Sequence, residues 1–591
     1  MNHSRKGVLL SLWLILVLAL PVAGQTIETA AEKDNFETYT SFEEMWSFMR
    51  SVQASSTEML LSDYGQTIEG RKQPYAVLSR PLVSQPWEAQ ASGKPIVLLG
   101  ANVHGGERTV REGLLLLTRE LATAGTPENK LLDDVVIIVA PSINCDGFVR
   151  GTRGNSLGID MNRDYIKLEQ PALSNYVQNL WLKWQPHVEL DGHNGGSYPY
   201  NICYQGPAHA AGDQRLTDIC DFDIFPFINE KMEASGYRSF YYSGGNSEAW
   251  RTGLTDARCN NVYGGFINCI SILYESPSQD RATGAKSAYV AALALVQYCA
   301  ENAEQVVMYV DRARREIIEM GQKAEGDIPI TVEKGPQDWK VSYLIAEGRG
   351  EEREIVEVTD ALLMSKPIVT KTRPRPYAYI LEPRAKSSIE MLQRQDIMVE
   401  VLQEDVELDI EAYNATSIER SSQYDHPASV TVTCADEMVK QTRTFAKGSF
   451  VVRTGQSQGW LVTHMLEPET NDNVITWNTM DAILPRVTSA GGAAAMGGRG
   501  GQRAGGNVQV AGARGGRAGG NVQVAVTGGR GGRVAISEVR TVGGRAGAGG
   551  RVTDPEMAAR MAQFQRGGQR EAIIPIFKLM DPTALPTQIL K

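Results

Sequence analysis

Short apolar runs alternate with helical patterns through the first half of the chain. Each run is almost wholly apolar, as expected of strands buried on both faces of a sheet, and apolar residues recur at helical spacing between the runs. This alternation predicts an α/β domain in which helices cover a central sheet. The predicted strands are 95–103, 135–140, 188–190 and 266–274, and the predicted helices are 109–121, 285–299 and 303–320.

The pattern changes near residue 327. Beyond it, runs rich in valine, isoleucine and threonine, such as 430–433 and 450–453, alternate with turns, which indicates a β-rich region. Because a single hydrophobic core stops growing near about 250–300 residues, a chain of 591 residues is expected to form more than one domain. We therefore predict an α/β domain at 25–326 and a β-rich C-terminal domain at 327–591.

A glycine-rich segment at 490–551 interrupts the second domain. Glycine makes up 22 of its 62 residues, and the unit Arg-Ala-Gly-Gly-Asn-Val-Gln-Val-Ala occurs twice, at 503–511 and 517–525. Such a composition buries too little apolar surface to offset the entropy of ordering the chain, so we expect a disordered insertion. Strand-like sequence resumes at 572–579.

The first 24 residues have the pattern of a signal peptide. Arg5 and Lys6 precede an apolar stretch at 8–20, and small residues at 22–24 mark an expected cleavage site near Gly24. We therefore expect an exported protein, periplasmic or extracellular. No apolar run reaches the ~20 residues that a permanent membrane span needs. Seven cysteines leave at least one unpaired and allow one or two disulfides.

Charge argues against nucleic acid as a partner. The net charge is −10, and the segment 490–551 contributes +8 through nine arginines and one glutamate, so the rest of the chain carries −18. An acidic body of this kind repels nucleic acid and anionic membranes. The arginine-glycine-glycine triplets of the insertion are of a type that binds single-stranded RNA, but the export signal argues against that partner.

Two histidines and two glutamates follow the predicted strands. His104 and Glu107 lie in the turn after the first strand, His193 lies in a glycine-rich turn after the third, and Glu275 follows the fourth. Strand ends at one edge of an α/β sheet carry its ligand-binding loops, so these side chains are expected to meet. A hydrolytic zinc site uses three nitrogen or oxygen ligands and leaves one position for water. His104, Glu107 and His193 form the predicted zinc site, although a His-x-x-Glu pair alone often occurs by chance.

Four further polar residues each have a functional and a structural interpretation. Glu275, at the end of a buried strand, is either a general base or a capping or salt-bridged carboxylate. Arg153 either stabilises charge that develops on a carbonyl oxygen or is an ordinary loop arginine. Arg163, beside Asn162, either grips a carboxylate through two hydrogen bonds or is a surface arginine. Asp160 either orients a ligand histidine or belongs to a turn.

The order of these fragments resembles that of the zinc metallocarboxypeptidases, the carboxypeptidase A-like or funnelin family. His-x-x-Glu comes first, followed by the turn at 144–147, an arginine ahead of Asp-x-Asn-Arg at 160–163, a second histidine and a glutamate after an apolar strand. The resemblance spans about residues 61–276, and the segments 377–383 and 448–467 are similar to the C-terminal extension of large exported bacterial members. It implies a mixed central sheet flanked by helices.

The resemblance also implies a role for each candidate residue. The chain is expected to be a metallocarboxypeptidase with one zinc ion, which hydrolyses the C-terminal peptide bond of peptides or proteins. The implied roles are zinc binding by His104, Glu107 and His193, general base catalysis by Glu275, polarisation of the scissile carbonyl by Arg153, binding of the substrate's terminal carboxylate by Asn162 and Arg163, orientation of His104 by Asp160, and closure over the substrate by Tyr241 or Tyr242.

Three features depart from the family pattern. The 144–147 turn, which is usually Asn-Pro-Asp-Gly in the family, has Cys145 in place of proline. Asp164 stands where asparagine is common, and its carboxylate is able to pair with Arg163 and weaken the grip on the substrate. Neither Tyr241 nor Tyr242 has the usual spacing from the Gly-Gly turn that follows. A zinc deacylase or amidohydrolase has less need of the carboxylate-binding pair, and a non-catalytic exported binding protein has no need of a base, so both stay alternatives.

Overall fold

Three β-sheets and the helices packed on them form the described part of the chain. The computed structural model describes residues 26–253, 255–348, 353–423, 426–487 and 571–590, so the predicted signal peptide and the predicted insertion lie outside it. The strands are β1 Met59–Gln66, β2 Lys72–Leu78, β3 Ile96–Ala101, β4 Val136–Ala140, β5 Val188–His193, β6 Ile202–Gln205, β7 Ser239–Tyr241, β8 Ser243–Gly245, β9 Ala249–Thr252, β10 Ile270–Glu275, β11 Asp327–Glu347, β12 Glu354–Pro374, β13 Ala378–Leu381, β14 Glu400–Leu402, β15 Val406–Gln423, β16 His426–Cys434, β17 Val439–Phe445, β18 Phe450–Arg453, β19 Ile573–Leu579 and β20 Thr587–Ile589.

Helices connect these strands on both faces of the first sheet. Most are short, and the longest two follow β10 in succession. The α-helices are α1 Ala30–Lys33, α2 Phe42–Ala54, α3 Pro86–Ala91, α4 Thr109–Ala122, α5 Pro127–Lys130, α6 Cys145–Arg150, α7 Pro171–Asn175, α8 Leu182–Trp184, α9 Gln214–Ile219, α10 Phe225–Ala234, α11 Asn260–Phe266, α12 Arg281–Glu301, α13 Ala303–Lys323, α14 Lys386–Arg394 and α15 Gly459–Leu466.

The first sheet has the strand order β1-β2-β4-β3-β5-β10-β6-β7. Strands β4, β3, β5 and β10 run parallel to one another, whereas the pairs β1–β2, β2–β4 and β6–β10 are antiparallel. Leu99 of β3 packs in one apolar cluster with Leu114 of α4 and Leu295 of α12, and Leu98 packs on the opposite face with Val262 of α11. The predicted α/β fold, a mixed central sheet flanked by helices, is confirmed.

Most predicted elements correspond to observed ones. Burial on both faces explains why β3 and β4 are continuous apolar runs in the sequence. The predicted strands 95–103, 135–140 and 188–190 contain or lie within β3, β4 and β5, the predicted helices 109–121, 285–299 and 303–320 lie within α4, α12 and α13, and the strand-like segments 430–433, 450–453 and 572–579 correspond to part of β16, to β18 and to β19.

Two predicted boundaries near the candidate site are wrong. His193 does not lie in a turn, because β5 continues to His193 and pairs it with Glu275 of β10. The run at 266–274 is not one strand. Phe266 ends α11, Asn268 has a left-handed backbone conformation with φ of 56°, and β10 begins only afterwards.

Beyond α13 the described chain is β-rich. Strands β11 and β12 form a long antiparallel hairpin, and β12 also pairs in parallel with β9, so one sheet contains strands from both sides of position 327. The third sheet runs β16-β15-β19-β13-β18-β14-β20, with β17 paired to β15. Leu392 of α14 shares an apolar cluster with Tyr165 and Trp181. The α/β region and the β-rich region therefore share hydrophobic contacts.

The cysteines form no disulfide. All seven lie within the described residues, and each is buried and unpaired. Burial raises the pKa of the Cys145 thiol, in the 144–147 turn, to about 12, so this thiol stays protonated at neutral pH. Within the described ranges, we find no helix that is both long enough and apolar enough to cross a membrane.

Candidate active site

Three side chains from two neighbouring strand ends meet at one point. His104 and Glu107 lie in the loop between β3 and α4, and His193 is the last residue of the adjacent parallel strand β5. Glu107 Oε2 lies 2.9 Å from Nδ1 of His104 and 2.9 Å from Nδ1 of His193, and the two Nδ1 atoms are 3.0 Å apart. The structure thus brings the three predicted metal ligands together.

The loop that carries His104 and Glu107 is held by its own sequence. The side-chain amide of Asn102 donates hydrogen bonds to the backbone carbonyls of His104, Gly105 and Glu107, at 2.8, 3.1 and 2.8 Å. A Cβ atom on Gly105 would lie 2.0 Å from the backbone carbon of Gly147, so the loop can approach the 144–147 turn only with glycine at this position. Close packing against this turn therefore explains why Gly105 lies between the two ligands.

Each histidine is also held through its other ring nitrogen. Nε2 of His104 lies 3.1 Å from Asp160 Oδ1, and Nε2 of His193 lies 2.7 Å from Asp191 Oδ2. Burial alone lowers the pKa of His193, but the carboxylates of Asp191 and Glu107 outweigh it and hold this pKa well above its ordinary value. Burial alone raises the pKa of Glu107, but hydrogen bonds from the two imidazoles outweigh it and hold this pKa well below its usual range.

This arrangement fits a zinc ion. Two imidazole nitrogens and a carboxylate oxygen are a donor set of hydrolytic zinc sites, and the carboxylates behind the imidazoles are the partners that zinc-binding histidines usually have. Because those carboxylates occupy both Nε2 atoms, the two Nδ1 atoms are directed toward the same point. Among the described residues, this trio is the one group of histidine, cysteine and acidic side chains arranged to hold a metal ion.

Arg153 lies beside the three donors. Its guanidinium donates to Asp160 Oδ2 at 3.0 and 3.1 Å and to Glu107 Oε1 at 3.2 Å. Its Nη1 atom lies 3.1 Å from His104 Nδ1. With 51% of its side chain exposed, Arg153 is fixed in direction but accessible to a bound molecule.

Asn162 and Arg163 lie in a short 3₁₀ turn that follows Asp160. The side-chain amide of Asn162 is 3.4 Å from His193 Nε2, so this turn borders the metal-ligand trio. Arg163 Nη1 donates to the carbonyl of Asn162 at 2.7 Å and to the sulfur of Cys259 at 3.5 Å. The predicted carboxylate-binding pair is therefore adjacent to the predicted metal ligands.

Asp164 does not take the position that would neutralise Arg163. Its Oδ2 atom accepts hydrogen bonds from the backbone N–H groups of Glu169 and Gln170 at 2.9 and 2.8 Å, and Oδ1 lies 3.6 Å from Lys167 Nζ. Burial raises the pKa of Asp164 to about 6. The Asp164 carboxylate therefore stabilises the backbone turn that follows the Asn-Arg pair.

Glu275 ends β10 directly beside His193 in the neighbouring strand. Its side chain is buried, and a Cβ atom on Gly195 would lie 2.5 Å from Oε2, so a side chain at position 195 would displace the carboxylate from this position. Burial raises the pKa of Glu275 to about 7. A buried carboxylate with a pKa near neutrality has the properties of a general base.

The two candidate tyrosines point in different directions. Tyr241 is buried against the rings of Tyr204 and Phe225, and its hydroxyl donates to Asp221 Oδ1 at 3.0 Å. Tyr242 is half-buried, and its hydroxyl lies within the electrostatic reach of Glu275, Glu107 and Arg153. Burial, followed by the charge of Glu275, raises the pKa of Tyr242 to about 12. Tyr241 is thus bound to Asp221, and Tyr242 is the tyrosine on which the charges of Glu275, Glu107 and Arg153 act.

Sequence reasoning gave no role to Asp191, Asn102 or Asn260. The signal for Asp191 was its spacing, because residues two apart on a strand share a face and Asp191 precedes His193 by two. Asn260 donates its backbone N–H to Asn162 Oδ1 at 3.0 Å, although 98 residues separate the two positions. No local pattern predicts a contact over that distance along the chain.

The sequence matches known proteins over the region that carries the metal-ligand trio. Residues 45–202 match the family model described as zinc carboxypeptidase. Carboxypeptidase 2 of Trichophyton rubrum is 26% identical over an alignment that covers 75% of this chain and 85% of that protein, and human carboxypeptidase D is 28% identical over 42% of this chain and 22% of that protein. The solved metallo-carboxypeptidase of Burkholderia cenocepacia is 21% identical, with a TM-score of 0.35 over 46% of this chain and 70% of that chain.

Removing one ligand tests the metal site. The wild-type protein should bind one zinc ion per chain, and His193→Ala should lose most of it, because binding depends on all three donors. Asp191→Asn should retain zinc but weaken its affinity about 10–100-fold, the usual cost of losing such a partner. Metal analysis and chelator titration measure both. His426→Ala, a β16 histidine outside the trio, is the control, and full zinc in His193→Ala would contradict the assignment.

Proposed function

We propose that this chain, a member of the zinc carboxypeptidase (carboxypeptidase A-like) family, is an exported enzyme that hydrolyses the C-terminal peptide bond of peptides or proteins. The observation that carries the proposal is the meeting of three zinc-type donors, a buried carboxylate and an Asn-Arg pair in one site. Export is supported by the signal-peptide pattern at 1–24.

His104, Glu107 and His193 would hold one zinc ion. When bound, zinc supplies a Lewis acid that polarises a carbonyl oxygen and lowers the pKa of water. The chain contributes the fixed direction of its donors, since Asp160 and Asp191 prevent the two imidazoles from rotating.

Glu275 acts as the general base. It accepts a proton from the attacking water and passes that proton to the nitrogen of the leaving amine. Two features support this role: Glu275 pairs with His193 at the end of the parallel strands, and its side chain is buried. A carboxylate in such a place is costly unless it functions.

Arg153 stabilises the negative charge that develops on the carbonyl oxygen of the scissile bond. Its hydrogen bonds to Asp160 and Glu107 fix the guanidinium beforehand, so little reorganisation is needed during the reaction. About half of its side chain is exposed, which leaves the guanidinium accessible to a substrate carbonyl.

Asn162 and Arg163 select a free C-terminus by binding its carboxylate. A guanidinium beside an amide matches the planar geometry of a carboxylate and its hydrogen-bonding capacity. Asp164 leaves Arg163 its positive charge, because the Asp164 carboxylate is bound to the backbone of Glu169 and Gln170. Tyr242, whose hydroxyl is within electrostatic reach of Glu275, Glu107 and Arg153, is the candidate for the tyrosine that closes over the substrate.

Replacing the proposed base separates catalysis from metal binding. Glu275→Gln keeps the size of the side chain but removes the proton acceptor, so turnover should fall by at least ~10²–10⁴-fold while zinc stays bound. Steady-state kinetics on a blocked peptide, together with metal analysis, measures the two effects. Glu248→Gln, which changes an exposed glutamate, should leave both unchanged. Near-normal turnover in Glu275→Gln would mean that this carboxylate is structural.

Amidation of the substrate tests the carboxylate-binding pair. A charge-assisted hydrogen bond contributes about 1.5–3 kcal/mol, and about 1.4 kcal/mol is a factor of ten, so kcat/KM should fall at least tenfold on a C-terminally amidated peptide. Arg163→Ala should lower kcat/KM on the free-acid peptide and hardly change the rate on the amide.

Arg163→Lys provides the matched control for this test. It keeps the charge but lacks the planar fork, so its preference for the free acid should lie between those of the wild type and Arg163→Ala. Equal cleavage of free and amidated peptides by the wild-type enzyme would refute a carboxylate-binding role and would favour a zinc deacylase or amidohydrolase.

A further inference from the structure

The turn that carries Asn162 and Arg163 is held by contacts from a distant loop. Cys259 accepts a hydrogen bond from Arg163 Nη1, and the backbone N–H of Asn260 donates to Asn162 Oδ1 at 3.0 Å. The carbonyl of Arg258 accepts from the backbone N–H of Tyr165 at 3.4 Å. Cys259 and Asn260 therefore contact the carboxylate-binding turn, and Arg258 contacts the backbone two residues after it. We call the segment 258–260 the support loop.

A buried ion pair fixes the support loop to the β-rich region. Arg258 Nη1 donates to Asp472 Oδ1 at 2.7 Å, and the backbone N–H of Arg258 donates to Asp472 Oδ2 at 3.2 Å. Both side chains are almost completely buried. Because Asp472 binds the backbone of Arg258 as well as its side chain, it fixes the position of the loop and not only that of one long side chain.

A second contact from the β-rich region reaches the residues directly after the turn. The side-chain amide of Gln395, which follows α14, donates to the carbonyls of Tyr165 and Ile166 at 2.7 and 2.9 Å. Gln395 Oε1 accepts from the hydroxyl of Tyr263 at 2.7 Å, and Gln395 is fully buried. The preceding residue, Arg394, donates to the carbonyl of Lys167 at 2.7 Å.

We propose that the β-rich region determines the preference for a free C-terminal carboxylate, because Asp472 and Gln395 position the turn that carries Asn162 and Arg163. This inference rests on the proposed carboxypeptidase function. Asp472 and Gln395 are positioning residues, since each acts on the turn through the support loop or through the backbone after it. The β-rich region then has a function in the reaction through the position of this turn.

The physical reason is the precision that bidentate binding demands. A guanidinium and an amide bind a carboxylate well only when their relative placement is fixed, and a misplacement of about 1 Å can cost 10²-fold in rate. Two supports of the metal ligands, Asn102 and Asp191, lie outside the turn, whereas Asp160 both holds His104 and accepts a hydrogen bond from the backbone N–H of Asn162 at 2.9 Å. Loosening the support loop should therefore damage carboxylate binding much more than zinc binding.

The test compares kcat/KM on free-acid and amidated peptides in full-length variants. The measured quantity is the ratio of kcat/KM on the free acid to kcat/KM on the amide. Asp472→Asn and Gln395→Met should each lower this ratio by about tenfold or more, mainly through a higher KM on the free acid. Zinc content and the rate on the amide should stay at wild-type values. Asp472→Asn should lower the ratio less in the Arg163→Ala background than in the wild type, because one of the two residues that the support loop positions is already gone.

Glu467→Gln is the matched control. Glu467 is buried in the same region, where it binds Tyr379, Tyr413 and Lys578, so its loss perturbs the β-rich region by a comparable amount without touching the support loop. The free-acid-to-amide ratio of kcat/KM in Glu467→Gln should equal that of the wild type. If Asp472→Asn does not fold, Gln395→Met and Arg258→Lys provide the same comparison.

Each outcome decides the inference. A wild-type ratio in folded Asp472→Asn and Gln395→Met, or an equal loss on both peptides, would overturn it, because the first excludes positioning and the second indicates general damage. A wild-type enzyme that does not distinguish the two peptides would refute the carboxylate-binding part of the proposed function and this inference with it. Failure of the proposed function is therefore detected in the wild-type enzyme, whereas failure of this inference alone is detected only in the variants.

Discussion

Two hydrogen-bonded carboxylates determine the direction of the metal-binding histidines, and the rest of the site depends on that direction. Asp160 and Asp191 take the Nε2 atoms of His104 and His193, which leaves both Nδ1 atoms facing Glu107. The parallel strands β3, β5 and β10 supply the scaffold, because their carboxyl ends lie side by side. Without these two carboxylates the imidazoles could rotate, and Glu275 and Arg153 would border a site without fixed donors.

The sequence predicts this part of the structure well because its signals are local. Buried parallel strands are continuous apolar runs, and residues at their ends must meet at one edge of the sheet. The sequence alone therefore predicts that His104, His193 and Glu275 lie close together. The strand boundaries were less accurate. Phe266 is as apolar as the strand that follows, and only the left-handed backbone at Asn268 separates α11 from β10.

Contacts between distant segments could not be predicted. Asn260 binds Asn162, and Gln395 binds the backbone of Tyr165, but neither contact leaves a periodicity or a motif in the sequence. Tyr241 and Tyr242 were equivalent candidates for a similar reason. Their directions are set by tertiary packing, which buries Tyr241 against Tyr204 and Phe225 and leaves Tyr242 beside the site.

The most direct test of the central claim is the order in which products appear from a peptide with a blocked N-terminus. Time-resolved mass spectrometry should first detect the single C-terminal amino acid and the peptide shortened by one residue, followed by successive shortening, because the carboxylate-binding turn lies next to the metal-ligand trio. Internal fragments, or removal of the blocking group from an intact peptide, would contradict the assignment as a carboxypeptidase.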